Sequence, residues 1–272
     1  MRNLLIRAAS GSVYVALILL STFYLSWGGL LLATLLGSFA IIEWQLFKPS
    51  SVSVRSASFG IVILVLSLYL FGNFPAQVIS ETRLYLALLL GLSLMVINLC
   101  LLAFDQKDEG LSQLFHHITG LVYLIPPLLS LALLSKEPWL LAGIFIMIWC
   151  FDSFAYLVGR FFGKTKLMPK ISPKKTWEGF FGGLFFTLLS AYLLDQFAGV
   201  EIIGTWQWLV LGFLVVISST FGDLFESALK RSHGLKDSGN FMPGHGGILD
   251  RIDSLLFAMP LAYLFIELTQ HL

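Results

Sequence analysis

Long apolar runs constrain this chain more than any other feature. A hydrocarbon core about 30 Å thick takes about 20 apolar residues per helix. Runs near that length centre on residues 9 to 26, 28 to 47, 57 to 75, 84 to 104, 116 to 134, 138 to 159, 179 to 199, 206 to 228 and 252 to 270. They predict an all-α, polytopic integral membrane protein with about nine transmembrane helices. At 57% hydrophobic and 12% charged, the 272 residues carry too little polar surface to clothe a soluble globule. Little more than Trp27 and Gly28 separates the first two spans. Pro126 and Pro127 interrupt the fifth, where a kinked or partly re-entrant segment would change the count. Basic residues precede the first run as in a secretory signal, but no small-x-small cleavage site follows, so it reads as a retained first helix.

The distribution of positive charge tests this layout independently of hydropathy. If the N-terminus and every second loop share a side, that side collects Arg2, Arg7, Lys48, Arg55, Lys107, Arg160, Lys164, Lys166, Lys170, Lys174, Lys175, Lys230, Arg231, Lys236 and Arg251. The other keeps only Arg83 and Lys136. The basic loops are therefore expected in the cytoplasm, where nucleoside triphosphates are found, in the inner membrane of a bacterial-type cell. Helices one to five carry few charges within the membrane, with Glu43 the exception, whereas the later helices carry Asp152, Asp195, Asp223, Glu226 and Glu267. Residues 1–147 thus read as scaffold, lipid-facing wall or oligomer surface, and residues 148–272 as the catalytic region. Cys100 and Cys150 lie inside apolar runs without metal-binding spacing and read as small buried hydrophobes. His116, His117 and His271 read as interfacial polar residues.

Chemistry is concentrated in residues 227–253, SALKRSHGLKDSGNFMPGHGGILDRID, with four basic residues, three acids, two histidines and five glycines between apolar runs. Glycines let backbone N–H groups approach a phosphate, and a glycine-rich turn running into a helix N-terminus makes an anion site. Asp250 alone could cap that helix, but Asp250 and Asp253 lie three apart on one helical face and suit a divalent cation better. Asp223 sits deeper, one turn before Ser227, and is their expected metal-binding partner. Glu226 is either part of this site or an i,i+4 ion-pair partner of Lys230. His245, between glycines, could donate to a phosphate.

A second constellation spans 152–179, DSFAYLVGRFFGKTKLMPKISPKKTWEG. Asp152, Tyr156 and Gly159 share a helix face, and Arg160, Lys164, Lys166, Lys170, Lys174 and Lys175 follow. A basic loop of this kind can simply set topology and touch anionic headgroups. Pro173 and Trp177 argue for a shaped site. Walker A and Rossmann fingerprints are absent from the sequence, so catalysis must be built from helix ends and loops.

The 227–253 stretch closely resembles the signature of the phosphatidate cytidylyltransferases (CDP-diacylglycerol synthases). Ser227, Lys230, Arg231, Lys236, Asp237, Gly239, Pro243, His245, Gly246, Gly247, Asp250, Arg251 and Asp253 carry the resemblance, and Met242 departs from the branched aliphatic residue expected there. Residues 152–179 resemble the second shared block of that family. The resemblance implies transfer of CMP from CTP to phosphatidic acid in a Mg²⁺-dependent reaction, within a membrane-embedded homodimer that does not bind nucleic acid. It implies that Asp223, Asp250 and Asp253 hold Mg²⁺, that Lys230, Arg231 and Arg251 offset charge on pyrophosphate, and that Asp152, Arg160, Lys174, Lys175, Ser227, Lys236, His245, Gly246 and Gly247 contact substrate. The alternatives are a CTP-dependent polyprenol kinase and a lipid or phosphate transporter.

Overall fold

In a computed structural model, residues 2–25, 28–47, 109–197 and 203–269 are described, apart from 243 and 245. They form helices α1 (Arg2–Tyr24), α2 (Gly28–Phe47), α3 (Glu109–Leu134) and α4 (Pro138–Phe162), a hairpin of β1 (Lys166–Met168) and β2 (Ser172–Thr176), and helices α5 (Trp177–Phe197), α6 (Thr205–Ser232) and α7 (Leu249–Thr269). Seven of the expected spans are matched by these helices. The runs centred on 57 to 75 and 84 to 104 lie outside the described residues, as do Cys100, Lys107, His245 and His271. Five helices, α2, α4, α5, α6 and α7, are long and apolar enough to cross a membrane, and α1 and α3 contain the shorter apolar stretches Ala9–Tyr24 and Thr119–Leu134. The described fold is that of a helical membrane protein.

Pro126 and Pro127 do not split α3. The helix continues through both, and Ser130 Oγ donates to the Pro126 carbonyl at 3.0 Å. Pro126 and Pro127 remove two backbone donors, to the carbonyls of residues 122 and 123, and the remaining turns hold the helix together.

One part of the core lies where α2, α3 and α7 meet, and it continues into α4 and α6 through Leu141, Ile144, Met147, Trp208 and Leu211. Trp44, Tyr123, Leu124, Leu128, Leu256 and Met259 are fully buried where the first three helices meet, and the Trp44 indole covers Gly120, where a Cβ would strike its ring. Trp44 Nε1 donates to the His116 carbonyl at 3.0 Å, and the His116 imidazole stacks on the indole with ring centroids 5.2 Å apart. His116 is therefore a packing residue of the helix pair, and its polar ring is accommodated by that pairing. Cys150 is partly buried, with Sγ 3.4 Å from the Phe186 carbonyl.

The 164–176 segment, expected as a loop, is a hairpin. Lys166 pairs with Thr176 and Met168 with Ser172, with an irregularity between them. Glu178 in the first turn of α5 accepts the Thr165 N–H with both carboxyl oxygens, at 3.0 and 3.1 Å, while Thr176 Oγ1 accepts the Gly179 N–H at 3.1 Å. Thr176 thus acts as the N-terminal cap of α5 and fixes the hairpin to it. On the opposite end of α5, Asp195 accepts a hydrogen bond from Thr205 Oγ1 at 2.6 Å, so this acid ties α5 to α6 across their connection.

The closest helix approach near the charged residues is between α6 and α7. Gly222 faces the backbone of Asp253, and a Cβ there would meet the Asp253 carbonyl oxygen. Gly222→Leu is expected to destabilise the folded state by about 1–3 kcal/mol through overpacking, lowering Tm in detergent. Gly204→Ala, whose nearest neighbour to an added Cβ is 3.6 Å away, should leave Tm unchanged.

Candidate active site

A helix of 28 residues such as α6 is about 42 Å long at 1.5 Å per residue, longer than the hydrocarbon core. Its last turns, the C-terminal ends of α2 and α4, the hairpin, and the first turns of α5 and α7 gather at one end of the bundle. Contacts from Lys175 to Asp223, Lys230 to Asp250 and Glu43 to Leu249 define that end. Lys175 and Lys230, both singled out in the sequence, are thus paired with acids at the same end of the bundle.

Lys230 is nearly buried and lies between two acids. Its Nζ is 3.1 Å from Glu226 Oε2 and 2.5 Å from Asp250 Oδ1. The i,i+4 pair with Glu226 is thus formed, and Lys230 also bridges α6 to α7. The other oxygen of Asp250, Oδ2, accepts the Ser238 N–H at 3.0 Å and the Gly247 N–H at 2.9 Å. Gly246, with φ +86°, leaves room for this carboxylate, since a Cβ there would lie 2.7 Å from Oδ2. Asp250 thus organises the loop around itself.

The expected anion position at the start of α7 is already filled by the chain. Glu43 of α2, 4% exposed, accepts the Ile248 N–H through Oε1 and the Leu249 N–H through Oε2, both at 2.9 Å, and the Ser238 hydroxyl at 3.1 Å. Unpaired N–H groups at a helix N-terminus draw negative charge, and the nearest acid is this one. The expectation that these amides cradle a phosphate is corrected accordingly, and Gly247 serves as a donor to Asp250.

An acidic pocket opens beside this framework. Asp223 Oδ2 is 2.8 Å from Lys175 Nζ, and its Oδ1 accepts the Ser227 hydroxyl at 3.1 Å. Asp152 of α4 lies within electrostatic range of Asp253, Asp223, Lys175 and Arg251. Glu226 Oε1 is buried without a hydrogen-bond donor, and the Asp253 carboxyl is its neighbour. Asp253 Oδ1 accepts the Ser254 N–H at 2.7 Å, and two adjoining carboxyl groups in so buried a place attract a proton or a cation.

No three His, Cys, Asp or Glu side chains among the described residues form a closed metal cage. A divalent ion such as magnesium needs only one or two carboxylates when phosphate oxygens and water complete its shell. The donors here suit that arrangement, since their excess of carboxyl groups and the orphaned Glu226 oxygen leave negative charge to be offset.

Around the pocket, Lys174 is exposed on the face of β2 opposite Lys175, because successive strand residues alternate. Arg160 donates to the Tyr156 hydroxyl at 3.0 Å, and Arg231 to the Leu235 carbonyl at 2.7 Å. Lys236 and Arg251 are exposed. His233 closes α6, with Nδ1 3.0 Å from the Leu229 carbonyl and its ring beside Phe47. Asp152, Asp223, Lys175, Asp253 and Arg251 are thus brought together, whereas Arg160, Lys174, Arg231 and Lys236 stand at the periphery. Sequence reasoning missed Ser238 and the role of Glu43. A lone acid in an otherwise apolar helix was the available signal, because such a group must find partners.

Carboxylates and cations gathered at helix ends suit phosphoryl or nucleotidyl transfer. The chain matches the model of the cytidylyltransferase family over residues 5–269, and it belongs to that family. It is 36% identical over 271 residues to a phosphatidate cytidylyltransferase of Haemophilus influenzae, covering 92% of each chain. It is also similar to the phosphatidate cytidylyltransferases of Thermotoga maritima, 45% identical over 126 residues (45% of this chain and 47% of that one), and Bacillus subtilis, 50% identical over 123 residues (45% of each).

Removing the cation from the Lys230 bridge leaves two carboxyl groups facing a low-dielectric interior. Lys230→Met is expected to cost about 3–5 kcal/mol of stability, read as a lowered Tm in detergent, with partial recovery when Glu226→Gln is added. An unchanged Tm in Lys230→Met would contradict the bridge.

Proposed function

We propose that this protein transfers CMP from CTP to phosphatidic acid, giving CDP-diacylglycerol and pyrophosphate. The observation carrying this reading is the end-to-end likeness to the Haemophilus influenzae phosphatidate cytidylyltransferase. It is supported by the acidic pocket that the matching segments build. A phosphatidate oxygen attacks the α-phosphorus of CTP, the new P–O bond forms there, and the bond to the β-phosphate breaks to release pyrophosphate. The attacking phosphate is already an anion, so no general base is required.

The residues supply positioning and charge. Lys175 can exchange Asp223 for a substrate phosphate, because a partly exposed ion pair is weakly held. Arg251 lies within electrostatic range of Asp152, and with Lys174 and Arg231, which are exposed, it would offset the charge of pyrophosphate. Lys230, committed to Glu226 and Asp250, fixes the carboxylates in place. Asp223 and Asp253 are the residues that would hold Mg²⁺, while Asp250, whose oxygens meet Lys230, Ser238 and Gly247, anchors the loop before α7. When bound, the ion would neutralise phosphate oxygens as negative charge moves toward the leaving group.

The bias of basic residues toward one set of loops supports a cytoplasmic active end, and we propose an inner-membrane enzyme drawing CTP from that side and phosphatidate from the adjoining leaflet. The proposal includes a homodimer, which the family resemblance supports.

Purified protein given α-labelled CTP, phosphatidic acid and Mg²⁺ is expected to move label into the lipid phase, and EDTA is expected to stop it. Label entering lipid only from γ-labelled CTP would identify a kinase instead. Asp223→Asn should lower turnover by roughly 10²–10³-fold while the variant elutes and melts like the parent protein. Near-normal turnover at saturating Mg²⁺ would remove Asp223 from the metal site.

A further inference from the structure

The glycine-rich loop before α7 carries Asp250 on the first turn of that helix and Asp253 one turn further along. The placement of both depends on how the loop meets the helix. Three donors from this junction converge on Glu43, which is 205 residues before Ile248 in sequence. The same loop leaves room for that carboxyl group at two glycines. A Cβ on Gly239 would lie 2.7 Å from Glu43 Oε1, and one on Gly247 would collide with both Glu43 Oε2 and Ser238 Oγ. These glycines are therefore shaped around Glu43, and a phosphate is not needed to explain them.

Ser238 extends the connection. Its hydroxyl donates to Glu43, its N–H donates to Asp250 Oδ2, and its oxygen lies 3.3 Å from the Asp250 N–H. Asp250 in turn meets Lys230, and Lys230 meets Glu226 beside Asp253. A continuous chain of polar contacts thus runs from α2, through the loop, to the carboxylates of α6 and α7. Glu43 is the only ionisable residue of α2, and a buried carboxyl group is retained in such a setting only where donors surround it.

We infer that Glu43 is a positioning residue for nucleotidyl transfer: it pins the 238–249 loop onto the N-terminus of α7 and thereby sets Asp250 and Asp253. The inference rests on the transferase reading for its kinetic consequence and on hydrogen-bond geometry alone for the pinning.

Glu43→Gln is the informative variant because it keeps size and shape while replacing one acceptor oxygen with an NH₂ group that confronts a donor. Displacements of about 1 Å at a reacting centre can cost on the order of 10²-fold in rate. The expected result is a kcat for CMP transfer lowered about 10- to 100-fold, with KM for CTP changed less than about threefold. Hydrogen exchange of the full-length protein in detergent should show faster exchange in peptides covering 238–250 and unchanged exchange in α4 and α5. Ser238→Ala should give a smaller kcat loss that does not add to that of Glu43→Gln, because both act through one network.

Wild-type kcat in Glu43→Gln, or unchanged exchange over 238–250, would overturn the inference. So would exchange that rises across all helices in step with a lowered Tm, since that pattern marks a general fold staple. If the wild-type protein transferred no CMP while the variant still lost protection at 238–250, the transferase reading would fall, the kinetic role with it, and the pinning itself would stand.

Discussion

A buried carboxyl group with its own set of donors organises the active end of this molecule. Lipid and packed side chains offer no water to the amides at the start of α7, so those amides must find an acceptor within the protein. Glu43 supplies it from α2, and three hydrogen bonds close the gap between two parts of the chain far apart in sequence. Once that junction is fixed, Asp250 can collect the Ser238 and Gly247 amides, and Lys230 can reach Asp250 from α6. Each contact satisfies a group that would otherwise be costly to bury, and the result is a rigid platform beside the acidic pocket.

The other wall of the pocket follows a different logic. The hairpin between α4 and α5 is short and lysine-rich, which gives it little capacity to form a sheet by itself. It is held by Glu178 on Thr165 and by Thr176 on Gly179. Strand alternation then separates two neighbouring lysines into different roles, with Lys175 turned toward Asp223 and Lys174 toward the outside. A flexible basic tail could supply the same charge but not this selectivity of placement. Of the two walls, the hairpin side is the more open, as the partial exposure of Lys175 and Asp223 shows.

Much of this was legible in the sequence, and for identifiable reasons. Apolar runs fix helix positions because a bilayer has one thickness, so all seven described helices coincide with expected spans. The i,i+4 pairs Asp223–Ser227 and Glu226–Lys230 follow from helix periodicity alone. The hairpin escaped notice because its strands are three and five residues long, too short for a period-2 pattern to stand out from a polar loop. The destination of Glu43 escaped because its partners are backbone amides, which no residue pattern announces.

The sequence by itself determined the class of molecule, the spacing of its helices and the segments in which charge accumulates, since these depend on local composition and period. Tertiary structure decided which of those charges are already spent. Lys230 and Asp250 neutralise one another inside the protein, Glu43 fills the anion position at α7, and Asp223, Asp253 and Asp152 are left around the pocket with Lys175 and Arg251. That division depends on distances across helices from distant parts of the chain, and Coulomb energies and hydrogen bonds are set by those distances.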